Sequence, residues 1–479
     1  MVRKGTELAG IALLVVLATA RSNTSAAQTS VPPPLPEAPK VRLLAQSDLA
    51  QSASPPDPQA VAPPGAAAGQ PQRLTRTDAE QMAIKNNPRI SVGRLVALAQ
   101  HQVVRETTAA ELPTALASFT AEDAEQATRI SAGTLTASRL FEHAGAGSSA
   151  TQLITDFGRT RNLVLSSKLQ EKAQNASALA TVEDIVLATD QAFYNALQAE
   201  ALLNVAKQNV ETRQTTDDQI SVMTKNKLKS TLDLSFADVN LSQAKLLLLD
   251  AENNSDSTMA ALDDVLGLDK KVNFDLEGGT DALQAPPVDE DQLLKLALQQ
   301  RPDLQALDYQ DQAAVKFSRA QRDQLLPSIS ALGTIGIVPT RPGSQYYVSN
   351  WWGAVGVNMN IPIFNGFLYA AEAKEATIRA QAAADQTRDL RDHIVRDVRT
   401  SWLSANTAYQ RVQVTEELLK EANLALQLAQ SRYQLGLSSI VELSQAQFQQ
   451  TDAAIGNTNA QYQYRLSLSA LNFEIGATP

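Results

Sequence analysis

Cysteine is absent from the whole 479-residue chain, which excludes disulfide bonds, thiolate metal sites and a lipid-modified N-terminal cysteine. Histidine is nearly absent: His101, His143 and His393 are the only three, and they do not stand at metal-ligand spacings. No serine or cysteine nucleophile motif occurs either. We therefore predict that the protein is not an enzyme and that it requires no cofactor and no metal.

Positive charge is also scarce, because 41 basic residues face 51 acidic ones and the formal net charge is −10. A nucleic-acid-binding protein needs a basic surface that offsets the phosphate charge. We therefore expect no nucleic acid among the partners of this chain.

The N-terminal apolar run, residues 8–20, is too short to cross a bilayer as a stable helix. It follows two basic residues, and small residues after it offer two cleavage points, behind Ala20 and behind Ala27. Residues 1–27 are therefore predicted to be a secretory signal peptide. The next segment, 28–72, holds 11 of the 21 prolines and is predicted to be a disordered linker.

Glycine and proline are missing from two long stretches, 159–266 and 367–435. Apolar residues recur there at three- and four-residue steps, and many alanines allow helices to approach closely, as in a coiled coil. The pattern relaxes near 225–233 and 434–442, so each stretch is predicted to fold as an antiparallel helical hairpin. The longer arm would extend about 100 Å, more than a compact globular domain requires.

The chain repeats itself, first at an offset of 214 residues and then at 209. Pro88 recurs as Pro302, and Gly267 recurs as Gly476. A period this long indicates a duplicated half-molecule and not a short solenoid repeat. After the linker we predict a first copy over 73–268, a connecting linker over 269–286 and a second copy over 287–476.

Each copy is predicted to begin with two short helices that a proline separates. Thr77 or Asp78 can cap the first helix of the first copy, and an acidic run from Asp289 begins its counterpart. The second helix of each pair is expected to stop near Pro113 or Pro327.

Strand patterns lie between the helices of each copy. Residues 354–363 alternate strictly, with two valines, Met359 and two isoleucines on one face, and 328–338 is the predicted partner strand. The opposite face is polar or tiny, as in a transmembrane β-barrel strand. A soluble hairpin with one half-buried face is the alternative. The strands of the first copy, 114–122 and 147–156, are more polar.

Aromatic residues make up only 5% of the chain, but seven of the 23 fall between positions 346 and 369. They bracket the alternating run at both ends, as the interfacial girdles of a membrane barrel would. The predicted membrane-interface residues are Trp351, Trp352, Phe364, Phe367 and Tyr369.

One chain supplies four predicted strands, which cannot close a barrel. Open strand edges are not tolerated in lipid, and the smallest transmembrane barrels have eight strands. Several chains must therefore contribute to one barrel, so the protein is predicted to be an obligate oligomer.

Four stretches of the chain carry a resemblance to a known family. They read DAEQMAIKNNP from Asp78, LALQQRPDL from Leu296, IPIFNGF from Ile361 and RYQLGLSSIVELSQAQ from Arg432. In this order and spacing they resemble the TolC-type outer-membrane efflux proteins, or outer membrane factors, over 73–476. None of the four stretches is specific alone, but their order, spacing and duplication together are.

The resemblance implies a mostly helical, TolC-like α/β-barrel fold with a small transmembrane β part. Three copies would share a 12-stranded β-barrel in the outer membrane and a 12-helix α-barrel across the periplasm. The resemblance also implies the channel of a tripartite efflux or type I secretion system, which exports small molecules or polypeptide. A periplasmic adaptor and an inner-membrane transporter would be its partners. A periplasmic coiled-coil scaffold or adhesin without a channel is the rival interpretation.

The family's entrance gate maps onto acids just beyond the two hairpin turns. Glu442 matches one family aspartate, Gln445 matches a second and is neutral, and Asp233 is the first-copy counterpart of Glu442. Rings of such carboxylates would favour cations and could bind divalent ions that block the entrance. A solvated helix-end acid that interacts with the helix dipole in the first turn is the alternative role for Asp233. The adaptor-docking tip maps onto Gly436, Leu437, Ser438, Ser439, Leu228, Lys229, Ser230 and Thr231.

Overall fold

The computed structural model describes residues 72–122, 129–132, 135–139, 143–278, 283–287, 289–337 and 351–477. All of them belong to one compact unit, Ala68–Pro479. The predicted signal peptide and nearly all of the predicted proline-rich linker lie outside the described residues.

Helices dominate the part of the chain that the structure describes. They are α1 (Arg76–Asn86), α2 (Pro88–Ala109), α3 (Arg159–Lys225), α4 (Thr231–Val265), α5 (Glu290–Gln300), α6 (Pro302–Asp323), α7 (Leu368–Gln434) and α8 (Ile440–Glu474). The strands are β1 (Gln72–Thr75), β2 (Thr114–Glu122), β3 (Arg129–Ala132), β4 (Leu135–Arg139), β5 (His143–Thr155), β6 (Phe274–Glu277), β7 (Ser328–Ile337) and β8 (Trp351–Asn360).

The helices of the two halves match in length and in position. Helices α3 and α7 each have 67 residues, and α4 and α8 each have 35. The short helices agree as well, with 11 residues in α1 and α5 and 22 in α2 and α6. The offsets of the sequence repeat carry every helix boundary of the first half onto the second. The two predicted helical hairpins are confirmed, with turns at 226–230 and 435–439.

The start of α1 differs from the prediction. The N-cap is Thr75, and neither Thr77 nor Asp78 occupies that position. The Thr75 hydroxyl accepts the N–H of Asp78 at 3.2 Å, and the Asp78 carboxylate accepts the N–H of Thr75 at 3.4 Å. This reciprocal capping box is more stabilising than a single cap, and it leaves Thr77 in the first turn. Asp289 caps α5 as predicted, accepting the N–H of Gln292 at 3.2 Å.

The predicted proline breaks between the short helices are confirmed. The C-terminal end of a long helical hairpin packs against each break. The residue before each proline is extended because the proline ring disfavours helical backbone there. At the first break, the side-chain amide of Asn87 donates to the carbonyl of Val265 at 3.0 Å. At the second, the guanidinium of Arg301 donates to the carbonyl of Glu474 at 3.4 Å.

Gly267 and Gly476 are placed against these breaks and end the hairpins. Their φ angles are 70° and 69°, and each closes a Schellman cap on its helix. An added Cβ would lie 3.0 Å from the backbone of Asn86 at the first site and 3.2 Å from the backbone nitrogen of Arg301 at the second. Both positions therefore require glycine for conformation and for close packing.

Strands β2, β5, β7 and β8 form one antiparallel sheet in that order. Thr114 lies opposite Thr151 in the first hairpin, and Ser328 lies opposite Asn360 in the second, so the repeat offsets also reproduce the strand register. β5 begins earlier than the predicted 147, because β2 continues to pair with it as far as His143.

A short parallel pair, β1 with β6, was not predicted. It places part of the predicted linker 269–286 in contact with the start of the first copy. Leu74 and Leu276 of this pair share a buried core with Phe193 of α3 and Leu262 of α4. The two strands have only four residues each and are far apart in the chain, so neither gives a local signal.

Helices α3 and α7 are each about 100 Å long at 1.5 Å per residue. Each packs along its hairpin partner, and α3 also contacts α2, α6 and α8. Buried alanines such as Ala173, Ala199 and Ala206 line α3 and allow this close approach. None of the described helices combines the length and the hydropathy needed to cross a membrane.

Candidate functional site

One face of the four-stranded sheet is apolar and exposed. Ala331 lies opposite Val357, and Gly333 lies opposite Val355, so the predicted faces of β7 and β8 are continuous. Val355 and Val357 are 91% and 71% exposed. An uncovered apolar strip of this kind is typical of a surface that meets lipid or another chain. The opposite face carries mainly polar or small side chains, with Leu332 and Trp352 as its large apolar members; its polar residues are Ser328, Ser330, Thr334, Asn358 and Asn360.

The same face continues onto the first copy with smaller side chains. Ala150 of β5 lies opposite Gly333 of β7, and Ala146 lies opposite Phe119 of β2. Phe119 is 74% exposed. The weaker strand signal of the first copy therefore reflects small side chains on the same surface and not a different fold.

β2 and β8 are the two edges of this sheet, and neither has a second partner strand among the described residues. Each edge presents a row of unpaired N–H and C=O groups. Such groups need partners when an apolar sheet enters lipid, because lipid offers no hydrogen bonds. One chain therefore leaves two strand edges that another chain can pair with.

The predicted interface aromatics lie at the two ends of β8. Trp351 and Trp352 begin the strand and are 72% and 45% exposed, but successive strand residues face opposite sides, so only Trp351 lies on the apolar face with Val355 and Val357. Phe364 and Phe367 follow its other end, with their rings edge-to-face at 5.6 Å, and Tyr369 lies in the first turn of α7. The ten residues of β8 between the two groups span about 33 Å along the strand, or about 25 Å along the axis of a barrel with tilted strands. That length matches the apolar band of an outer-membrane barrel.

Sequence reasoning missed one aromatic residue, Phe157. Phe157 and Gly158 precede α3, as Gly366 and Phe367 precede α7, and all four have positive φ angles. Phe157 is 55% exposed. The repeat offset aligns the two pairs but reverses the order of glycine and phenylalanine, which hides the match in the sequence.

The turn between α7 and α8 carries Glu442 at the start of the second helix. Gly436 ends α7 with φ of 71°, and the Ser439 hydroxyl caps α8 by accepting the N–H of Glu442 at 3.3 Å. The Glu442 carboxylate lies 3.1 Å from the Nε of Arg432. Both side chains are about half exposed, so Arg432 offsets only part of the negative charge at this turn.

The turn between α3 and α4 has the same geometry with different residues. Lys227 takes the position of Gly436, with φ of 57°. Ser230 and Asp233 form a capping box, in which the Asp233 carboxylate accepts the N–H of Ser230 at 3.2 Å. Asp233 therefore lies in the first turn of α4, where the helix-end alternative places it, and it also takes part in the cap. Its negative charge remains at the turn.

The structure brings the two turns together at one end of the helical hairpins. The Nζ of Lys229 lies 4.1 Å from the centroid of the Tyr433 ring, and a buried cluster beneath contains residues of all four long helices. Leu228 and Leu437 remain 73% and 68% exposed. The other positions predicted for this end are Thr231, Ser438 and the exposed Gln445.

Tyr433 is a further residue at this end that sequence reasoning did not select. It is 8% exposed, and its hydroxyl has no hydrogen-bond partner among the described residues. Burial and then the nearby Asp233 carboxylate raise the pKa of its phenol. A tyrosine on a helical seam gives no signal that separates it from ordinary core.

No cluster of three metal-ligating side chains occurs in the described part of the chain. The singled-out residues instead form two surfaces: an apolar, aromatic-flanked sheet face and a charged helical tip. A family model described as "Outer membrane efflux protein" matches residues 293–477.

Relatives in sequence and in structure agree with this match. Outer membrane protein TolC of Escherichia coli K12 is 24% identical over 344 residues, which cover 68% of each chain. The crystal structure of CusC superposes with a TM-score of 0.75 at 19% identity, covering 84% of this chain and 92% of that one. The Campylobacter jejuni CmeC outer membrane channel gives 0.72 at 17% identity, covering 84% and 85%. The fold is therefore the mostly helical α/β-barrel type of these channels.

Proposed function

We propose that the chain belongs to the outer membrane efflux protein family and that three copies form the exit duct of a tripartite efflux or type I secretion system. As a family member it lies in the outer membrane and extends into the periplasm. The duct carries out no chemistry of its own. It exports small molecules or polypeptide through a continuous lumen.

The two open edges of the β-sheet carry this proposal. One chain contributes four strands with an apolar outer face, and the outer edges of β2 and β8 have no partner strand among the described residues. Pairing of β8 with β2 of the next copy would satisfy both edges. Three copies would then close a 12-stranded barrel with a polar lumen, within the size range of known membrane barrels.

The four long helices of each chain would form a 12-helix tunnel in the same trimer. Their length of about 100 Å for α3 and α7 suits a conduit across the periplasm. The exposed leucines of the two tip turns, Leu228 and Leu437, would contact a periplasmic adaptor, which links the duct to an inner-membrane transporter.

We place the gate at the helical tip. In the trimer, three copies of Glu442 and three copies of Asp233 would surround the tunnel entrance. Their negative electrostatic potential would favour cations, and divalent ions bound there would block the entrance. Opening requires the two hairpins to separate at the Lys229–Tyr433 contact. The energy for that separation would come from adaptor and transporter binding.

The proposal is tested by recording from detergent-extracted protein in planar bilayers. A trimeric species should conduct, with discrete single-channel steps that millimolar divalent cations reduce. A protein that remains in solution without detergent, or a trimer with no conductance, would favour the coiled-coil scaffold instead.

A further inference from the structure

Arg213 is a buried cation in the wall of the helical hairpins. It lies on α3, and its side chain is only 7% exposed. It is 12 residues before the end of α3, which places it about 18 Å from the tip. Burial lowers the pKa of its guanidinium, and no neighbouring acid contributes to that shift.

The partners of Arg213 are neutral. Its Nε donates to the side-chain carbonyl of Asn209 at 3.3 Å, and an Nη donates to that of Gln447 on α8 at 2.5 Å. No carboxylate of the described residues lies within ion-pair distance of it. Gln447 is held in turn by donating to Thr216 at 3.1 Å. Two amide oxygens solvate the guanidinium in part, but they do not neutralise its charge.

A cavity of about 170 Å³ adjoins this guanidinium between α3, α7 and α8. It is large enough for a small ion with some of its water. Its wall is rich in groups that can donate hydrogen bonds and contains no acid: Gln208, Thr212, Arg213, Gln430, Gln450 and Thr451.

We propose that this cavity binds a small monovalent anion, such as chloride or a simple carboxylate, with Arg213 as its principal ligand. A buried unpaired charge is costly in a protein interior, and an anion at the guanidinium removes that cost. Water alone would hydrate the cation but leave its charge uncompensated.

The second hairpin has no equivalent site. The repeat offset carries Arg213 onto Ala422 and carries Gln447 back onto Asp238. The charge is therefore not a packing requirement of the repeated helix crossing. The site also joins the two hairpins, because Arg213 belongs to α3 and Gln447 to α8. The bound anion would strengthen that contact whatever cargo the duct carries.

The test uses the full detergent-solubilised protein at constant ionic strength. Sodium chloride is exchanged stepwise for the salt of a bulky sulfonate that exceeds the cavity, and thermal unfolding is recorded. For the natural chain we expect a saturable rise of about 2–5 °C with chloride. Arg213→Gln should abolish the rise, and Arg411→Gln, which changes an exposed arginine of α7, should retain it.

Two results would overturn the proposal. One is a natural chain without any saturable response to chloride. The other is an equal response in Arg213→Gln. If Arg213→Gln does not assemble, the line width of chloride-35 NMR on the natural chain decides: formate should compete away the broadening, and broadening that formate leaves unchanged contradicts a single anion site.

Discussion

Glu80 and Asp190 bring two carboxyl groups together at the junction of α1, α3 and α8. Both side chains are buried, and Ser469 of α8 donates to Asp190 at 2.7 Å. Arg76 lies 3.5 Å from Glu80 and 3.3 Å from Asp190. Burial, and then the hydrogen bond to Asp190, raise the pKa of Glu80 to about 7. Glu80 therefore keeps a proton in the folded state that the unfolded chain releases in mild acid.

This proton makes stability depend on pH. Its contribution is complete below the unfolded pKa of about 4.5 and is lost as the pH rises through about 7. Glu80→Gln keeps a hydrogen-bond donor without the titration, so its melting temperature should vary less over that window. At pH 8 the variant should be more stable, on the order of 1–2 kcal/mol.

Thermal unfolding of the solubilised protein from pH 4.5 to 8 checks this prediction. Glu416→Gln, at an exposed position of α7, is the matched control and should follow the natural chain. A Glu80→Gln profile that remains parallel to the natural one would remove Glu80 as the titrating group.

Arg432 and Glu442 carry opposite charges at the tip, so replacing one or the other should change block by divalent cations in opposite directions. The Nε of Arg432 lies 3.1 Å from Glu442, so it offsets part of the entrance charge. Glu442→Gln should weaken block by divalent cations, and Arg432→Gln should strengthen it, each by about threefold to tenfold in blocking concentration. Single-channel recordings measure both. If the two variants block like the natural channel, neither side chain faces the entrance.

Two ion pairs at equivalent places in the two copies show what the sequence repeat predicts and what it does not. Arg76 of α1 pairs with Asp190 of α3, and at the equivalent places Glu290 of α5 pairs with Arg399 of α7 at 2.6 Å. The offsets predict that these positions face each other. They do not predict that the charges are exchanged between the copies, because an ion pair of either polarity satisfies the same contact.

At the scale of elements, local periodicity predicted the long hairpins, and the strand alternation predicted the apolar face of β7 and β8. Two features were not predicted from these patterns, for physical reasons. The Thr75 cap competed with Thr77 and Asp78 as possible caps, and only the reciprocal hydrogen bonds decide among them. β1 and β6 pair across most of the first copy, a contact that depends on tertiary packing and leaves no periodic pattern.

The two hairpin turns differ in one strained residue. Lys227 has φ of 57°, where Gly436 of the other turn has 71°. A side chain in this conformation is destabilising, so Lys227→Gly should stabilise the first turn by about 0.5–1 kcal/mol. Gly436→Ala should destabilise the second turn by about 1 kcal/mol.

Hydrogen exchange at the amides of the two turns measures these changes locally. Lys227→Gly should slow exchange in the first turn and leave the second unchanged, and Gly436→Ala should do the reverse. Faster exchange in the Lys227→Gly variant would show that the lysine side chain contributes more than its backbone strain costs.

At the scale of the molecule, the duplicated sequence explains why one chain is incomplete. Each copy supplies one β-hairpin and one helical hairpin, and the sheet ends at β2 and β8. The fold followed from motifs and from their order along the chain. The contacts that would close the barrel lie between chains, and no pattern within one sequence specifies their geometry directly.

The internal repeat nevertheless predicts the register of that closure. Within the chain, Ala150 of β5 lies opposite Gly333 of β7. The same pairing shifted by the repeat offsets places Met359 of β8 opposite Phe119 of the next copy's β2. Both side chains are exposed in the single chain, at 55% and 74%. If three copies close the barrel, Met359 and Phe119 must therefore be neighbours across each contact between chains.

Disulfide trapping of that pair is the most direct test, because the natural chain has no cysteine and gives no background. Membranes carrying Phe119→Cys with Met359→Cys should yield, on mild oxidation, a covalent trimer that reduction dissolves. Phe119→Cys with Asn358→Cys places the thiols on opposite faces and should remain monomeric on a denaturing gel. Monomers from the first variant, or equal crosslinking from both, would contradict closure of the barrel by three copies in this register.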